Sequence, residues 1–320
     1  MNSESKLGIK EQEARDAGQT AGVWPAHLGM LVWALLVGLS FPAVGLLSEG
    51  LPPLLLTAMR FSIAALALLP FVRQSAELWP SRAGLALYAL MGLCLAGFFG
   101  AMFWAAHRVT ALTMATLFVS VPLLAYGLGR LVGVERRAGA LLALLALGAG
   151  GALALAWAEA GGDLSRLGFG GAEALFFMGC IASALYPVLT KLGLARGWLS
   201  PQAGVRTLWS LVLGAVLIAL LGLALESPAA LARLTALDVA LVVYLGLFSS
   251  GLTFWLQQRA TAVLTPAGVT AYGYLVPFVS MLILFVEAPQ RISPHWLPGS
   301  LLVALSITLL LRRDVRRRAH

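Results

Sequence analysis

Residues 100–111 read GAMFWAAHRVTA, and residues 251–262 read GLTFWLQQRATA. Gly, Phe, Trp, Arg, Thr and Ala coincide when position 100 is laid on position 251. Six identities in twelve far exceed the roughly one that composition alone gives, so the chain carries an internal repeat. Further landmarks repeat at similar spacing: Phe41-Pro42 with Tyr186-Pro187, Arg60 with Arg206, Pro122 with Pro277, and Glu135 with Glu287.

The setting of the repeat is apolar. Of 320 residues, 60% are hydrophobic and 11% charged, and the mean hydropathy is +0.88. A soluble domain is about half apolar and a quarter charged. A larger core does not absorb the excess, because the surface of a soluble protein must stay polar. The apolar residues therefore face lipid. Ten stretches are long enough for the roughly 20 residues that cross a bilayer: about 27–47, 51–72, 83–106, 110–131, 138–157, 171–191, 203–225, 236–257, 263–286 and 295–311. We call them spans 1 to 10. Connections between them are too short to hold a soluble domain.

The repeat thus pairs five spans (27–157) with five (171–311). Five crossings are odd, so the halves run through the membrane in opposite senses. Inverted-topology repeats are a device of secondary transporters. The expected fold is all-α integral membrane, with ten transmembrane helices as two inverted five-helix repeats. Residues 1–23 are expected to be a disordered cytoplasmic extension, and 312–320 a basic cytoplasmic tail.

Charge sets the orientation. With both termini inside, the cytoplasmic segments hold Lys6, Lys10, Arg15, Arg73, Arg82, Arg130, Arg136, Arg137, Lys191, Arg196, Arg259 and five arginines from Arg312 to Arg318. The outer loops hold only Arg108, Arg166, Arg233 and Arg291. This is the positive-inside bias. It also accounts for the net charge of +8 without a nucleic-acid partner. The expected location is a bacterial inner membrane. Trp24, Trp79, Trp157, Trp198 and Trp296 sit near span ends as interfacial anchors. Cys94 and Cys180 lie inside apolar runs and read as packing residues. No metal spacing, cofactor motif or phosphate-binding loop stands out. The partners to expect are the bilayer and a small-molecule substrate, and nothing in the sequence fixes an oligomeric state.

These residues resemble the EamA family of the drug/metabolite transporter superfamily. The likeness rests on Arg60-Phe61 with the apolar run to Leu69, on Gly171-Ala172-Glu173 opening span 6, and on a proline then an acid in spans 4 and 9. It covers about 27–312. The chain departs from the family in having Val37-Gly38 for Trp-Gly, and Val134-Glu135 and Val286-Glu287 for Gly-Glu. The resemblance implies a carrier of small metabolites, the family including exporters of amino acids, other metabolites and drugs, and the aromatic character of the spans points to an amphipathic or aromatic substrate such as an amino acid. It also implies that spans 1, 3, 4, 6, 8 and 9 line a midplane site, with spans 5 and 10 peripheral.

Polar and aromatic stripes mark candidates for that lining: Ser40, Phe41, Phe99, Thr116, Ser120, Ser183, Tyr186, Ser250, Thr253, Tyr272 and Tyr274. Small hydroxyl residues also pack membrane helices together and back-bond to their own helix, so each has a structural reading beside the functional one. Pro42, Pro122, Pro187 and Pro277 are expected to interrupt their helices. Arg60 and Arg206 are the ionisable residues deepest in the spans, and such residues are functional candidates by default. Arg60 can bind a carboxylate or pair with carbonyls, and Arg206 can snorkel to the interface; both arginines and the four prolines are expected to be structural or gating residues. No aspartate is expected to be buried, Glu135 and Glu287 fall at span ends, and no proton relay is visible. An intramembrane enzyme lacks its chemistry here, since no histidine lies mid-span beside a nucleophile. A channel remains the alternative, though no charged ring marks a filter. The reading is a secondary transporter working by alternating access, with export as its direction.

Overall fold

The computed structural model describes residues 22–106, 108–159, 168, 170–279 and 294–318. Residues 1–21, the second half of span 9 and Glu287 lie outside the described residues. Among the described residues nine helices are long and apolar enough to cross a membrane. They are Val23–Gly45, Pro53–Val72, Arg82–Ala105, Leu112–Leu131, Gly139–Ala158, Gly171–Ala195, Ala203–Leu225, Ala236–Val263 and Trp296–Arg316. They correspond to spans 1 to 8 and span 10. Span 9 is described from Pro266 to Val279. The chain is a multi-pass membrane protein.

Local chemistry starts these helices where it should. Ser81 accepts from Gly84 N, Thr110 from Thr113 N, Thr235 from Asp238 N and Thr265 from Gly268 N, each capping an otherwise orphaned N–H. Glu173 lies in the first turn of span 6 and accepts from Gly170 N at 2.8 Å, a placement the helix dipole favours. Large apolar residues stand exposed around the bundle, among them Leu66, Phe71, Leu131, Leu220 and Leu301. Such a surface is stable only against lipid. The last span does not end at residue 311: its helix runs on through the basic segment to Arg318.

Contacts identify two ends of the bundle. His27 at the start of span 1 lies beside Asp314 at the close of span 10, so these two span ends lie at one end of the bundle, here called the terminal end. At the far end, Asp238 accepts from Ser48 N at 2.8 Å, and Glu226 accepts from Leu54 N and Leu55 N at 2.8 and 2.9 Å. Span 8 is thereby fastened to span 1, and span 7 to span 2. Asp238 is almost fully covered, which corrects the expectation that no aspartate is buried. Its carboxylate is tolerated because Ser48 and Thr235 donate to it through both backbone and hydroxyl.

Helix packing follows a regular scheme. Span 2 packs on span 7, span 3 on span 6, span 1 on span 8, span 4 on span 9 and span 5 on span 10. Spans 3 and 7 also meet, as do spans 2 and 8. The small residues of span 5 serve span 10. A Cβ on Gly151 would stand 2.9 Å from Gly299 O, and one on Gly299 would stand 2.8 Å from Gly151 O. Ser306 of span 10 donates to Leu144 O at 2.7 Å. Two backbones approach this closely only where side chains are absent.

Candidate functional site

Several helices lose regularity within the bundle. Span 4 is two helices, Ala111–Phe118 and Val121–Leu131, separated at Val119-Ser120, with Pro122 opening the second. Proline has no N–H to give and is at home in a first turn. Span 9 begins as Pro266–Thr270 and tightens into a 3-10 turn over Ala271–Tyr274. The span 4 break at 119–120 and the span 9 turn at 271–274 stand at equivalent points of the sequence repeat. Span 8 contains a π-helical stretch, Leu245–Leu252, a wide turn that recurs at functional sites. Pro42 and Pro187 behave otherwise than expected. Both lie inside continuous helices, so spans 1 and 6 are not broken there. Pro277 is half-buried in the helical residues that follow the span 9 turn.

The expected lining residues fall into three groups. Phe99, Thr116, Ser120 and Ser183 are half-buried. Phe99 belongs to a run of rings joining spans 4, 3, 2, 8 and 6: Phe118–Phe98 at 5.9 Å, Phe98–Phe99 at 5.3 Å, Phe99–Phe61 at 5.3 Å, Phe61–Phe254 at 5.8 Å and Phe254–Tyr186 at 5.8 Å. Of that run only Phe99 and Tyr186 were among the expected lining residues. The second group satisfies itself locally. Ser40 donates to Val37 O, Ser120 to Leu117 O and Thr253 to Ser249 O, each at 2.6 Å, the back-bonding that bends helices. Phe41 is exposed.

The third group is buried in polar networks. Tyr186 accepts from Gln258 Nε2 at 2.8 Å and donates to Ser210, 2.9 Å away, which donates to Thr207 O. Arg206 is fully buried, which corrects the expectation that it snorkels. Its Nε donates to Gln258 Oε1 at 3.0 Å, and its terminal nitrogens to Gln258 O at 2.8 Å and Ser200 O at 2.6 Å. The planar guanidinium thus ties span 7 to span 8 through Gln258 and to the segment before span 7 through Ser200. Arg60 is different. It is 7% exposed, and one terminal nitrogen donates to Ser249 and Ser250 at 3.2 and 3.3 Å. Its Nε has no hydrogen-bond partner among the described residues. No carboxylate among them pairs with it either. Both serines belong to the π-helical stretch.

Tyr272 and Tyr274 lie at the span 9 turn with their rings buried. Tyr272 OH is 2.6 Å from His27 Nδ1. Tyr274 fills the space beside Gly148 of span 5, where a Cβ would come 2.5 Å from its ring. The sequence missed the surroundings of Tyr272. His27 Nε2 is 3.8 Å from Asp314 Oδ2, and Arg313 donates to Asp314 Oδ1 at 3.0 Å. A groove of about 570 Å³ between spans 1 and 10, lined by Trp24, Leu31, Leu311, Arg312 and Arg316 among others, is separate from the helix breaks.

Comparison with known proteins agrees with this architecture. Residues 24–157 match the model of the EamA-like transporter family. A protein of Streptantibioticus cattleyicolor described as "Probable terminal-alkyne amino-acid exporter" is 27% identical over 297 residues, spanning 92% of this chain and 95% of that protein. A solved crystal structure shares the fold with a TM-score of 0.71 at 21% identity, over 93% of this chain and 98% of that one. The chain is a membrane transporter, and the family resemblance read from its sequence is borne out over residues 24–157, which match the EamA-like transporter family.

Proposed function

We propose that the protein is a secondary carrier that exports a small amphipathic metabolite, with amino acids the leading class, by alternating access about a site where spans 4, 8 and 9 lose helical regularity. The observation that carries the reading is the pair of interruptions at 119–120 and 271–274. Interrupted helices at corresponding points of two halves mark the substrate site in repeat-built transporters; here both stretches keep right-handed helical backbone and only the hydrogen-bond pattern changes. Ten spans in two inverted repeats fit the packing scheme. Exchanging the halves maps span 3 on 6 onto span 8 on 1, and span 3 on 7 onto span 8 on 2. Pairs 2–7, 4–9 and 5–10 map onto themselves.

The positive-inside bias makes the terminal end cytoplasmic, and a bacterial inner membrane follows from the same reading. Amino-acid export is supported by the description of the Streptantibioticus protein and by Arg60. A buried guanidinium with an unused donor suits a carboxylate, which accepts from two donors at once. Thr116, Ser120, Ser183 and Phe99 are the half-buried residues we assign to the lining.

The test is uptake by proteoliposomes of a labelled panel that includes propargylglycine, other amino acids and their amides. Saturable uptake of the acids, with the amides poor and Ser120→Trp blocking, supports the assignment. Uptake of amides as readily as acids, or Ser120→Trp without effect in folded protein, contradicts it.

A further inference from the structure

The groove between spans 1 and 10 has a volume of about 570 Å³, within the range of small-ligand sites, about 300–1,000 Å³. Span 1 supplies Trp24 and Leu31, two turns apart on one helix face. Span 10 supplies two rows of period four. Ile307, Leu311 and Val315 form the apolar row, and Thr308, Arg312 and Arg316 form the polar one. The opposite side of that helix is taken up by span 5, which Gly299 and Ser306 meet.

The groove is graded along its length. Span 1 starts at the terminal end and span 10 finishes there, so Trp24 and Arg316 stand at the mouth. Leu31 and Ile307 lie roughly 10 and 13 Å deeper, at 1.5 Å per residue. Two guanidiniums and an indole therefore sit at the membrane surface, with aliphatic side chains beneath them. That is the profile of a site for an amphiphile whose head lies at the surface and whose chain points to the bilayer middle.

The charge of the mouth is uncompensated. Arg312 and Arg316 are exposed, and neither makes a hydrogen bond, ion pair or ring contact among the described residues. Other exposed arginines are engaged. Arg108 donates to Trp104 O and covers its ring, Arg233 donates to Gly50 O, and Arg196 and Arg259 lie over Trp198 and Trp255. Asp314, the acid of this segment, lies beside His27 instead, and no acid is among the described lining residues. Basic helix ends are ordinary at a cytoplasmic surface. Here they crown an apolar recess between two helices, the kind of place that holds anionic lipid headgroups.

We infer that this groove binds one anionic phospholipid of the leaflet at the terminal end. Arg312 and Arg316 hold the headgroup phosphate, whose oxygens match the guanidinium fork. Trp24 lies at the interfacial level, and an acyl chain runs between Leu31 and the row of Ile307 and Leu311. The lipid thereby bridges span 1 and span 10. A second copy of the chain suits the groove less, because a two-fold interface sets the same arginines near one another. The charge bias makes this end cytoplasmic, where the membrane surface is anionic. The inference rests on that orientation and not on what the protein transports.

The test uses full-length protein freed of lipid in neutral detergent. It is titrated with phosphatidylglycerol or with phosphatidylcholine of the same chains, and bound lipid is counted by native mass spectrometry. Wild type should bind the first phosphatidylglycerol about thirtyfold more tightly, the worth of two basic residues at a membrane surface. Arg312→Gln combined with Arg316→Gln should abolish the preference. Arg136→Gln combined with Arg137→Gln, an exposed pair in the connection between spans 4 and 5, should leave it intact. Thr308→Trp, at an exposed position of the groove, should weaken phosphatidylglycerol binding by filling the space. Equal binding of the two lipids by wild type would overturn the inference. So would a preference that survives loss of Arg312 and Arg316, one lost equally with Arg136 and Arg137, or binding untouched by Thr308→Trp. Displacement of the lipid by millimolar inorganic phosphate would make the arginines a plain anion site. A lipid-free dimer that Thr308→Trp breaks would give the groove to a second copy, and either result also overturns the inference.

Discussion

Replacing Arg206 by alanine should destabilise the bundle severely. The guanidinium is fully buried and donates at 3.0, 2.8 and 2.6 Å to Gln258 Oε1, Gln258 O and Ser200 O. A hydrogen bond to a charged group contributes about 1.5–3 kcal/mol, and a buried acceptor left without a donor costs about 1–3 kcal/mol. The three bonds are not additive, because all use one side chain and two serve Gln258. The closest general figure is the roughly 3–5 kcal/mol lost when one member of a buried charged cluster is deleted. That corresponds to a change of about 10²- to 10³-fold or more in the unfolding equilibrium. Gln258 also holds Tyr186, so the loss should spread along Tyr186, Ser210 and Thr190. Arg206→Lys should recover only part, since an ammonium cannot span three acceptors set for a planar fork. The assay is reversible unfolding by SDS titration in mixed micelles, with folded fraction followed by tryptophan fluorescence. Arg206→Ala within about 0.5 kcal/mol of wild type, the range of ordinary surface substitutions, would refute the assignment of Arg206 as a structural tie.

Other perturbations separate structure from transport. Gly151→Val should cost about 1–3 kcal/mol by overpacking, because its Cβ would sit 2.9 Å from Gly299 O; the same titration reads it. Glu226→Gln replaces a carboxylate that accepts from Leu54 N and Leu55 N, and the weaker neutral acceptor should lower stability by about 0.5–2 kcal/mol. Arg60→Gln, in contrast, should leave stability near wild type and lower uptake of carboxylate-bearing solutes at least tenfold. Tyr272→Phe removes the hydroxyl 2.6 Å from His27 Nδ1 and should cost about 1–3 kcal/mol, the penalty for a buried polar group left without its partner.

Much of the architecture was legible because hydrophobic length and charge bias are written along the chain. Spans 1 to 8 and 10 lie close to where apolar runs placed them, and Ser81, Thr110, Thr235 and Thr265 cap helices as their residue type suggests. Span 4 hides its break inside one uniform apolar run, and only Pro122 hints at it. The polar clusters were not legible, since they join positions far apart in sequence. His27 and Tyr272 are 245 residues apart; His27 alone reads as a residue near a span end, and Tyr272 as a candidate for the cavity lining. Glu135 was placed at a span end, and in the fold it is 7% exposed. Arg206 lay near a span end, where snorkelling is the ordinary outcome, and only Gln258 on another span keeps it inside. The proline expectation failed at Pro42 and Pro187 because neighbouring helices in a bundle can carry a continuous helix past a missing hydrogen bond.

Counterflow in proteoliposomes tests the carrier claim most directly. Vesicles preloaded with an unlabelled amino acid and empty vesicles are compared for entry of the labelled one. Alternating access predicts saturable uptake that preloading accelerates and that overshoots before decaying, because the loaded site returns faster than the empty one. Flux that rises linearly with concentration and ignores preloading would contradict the account and make the protein a channel.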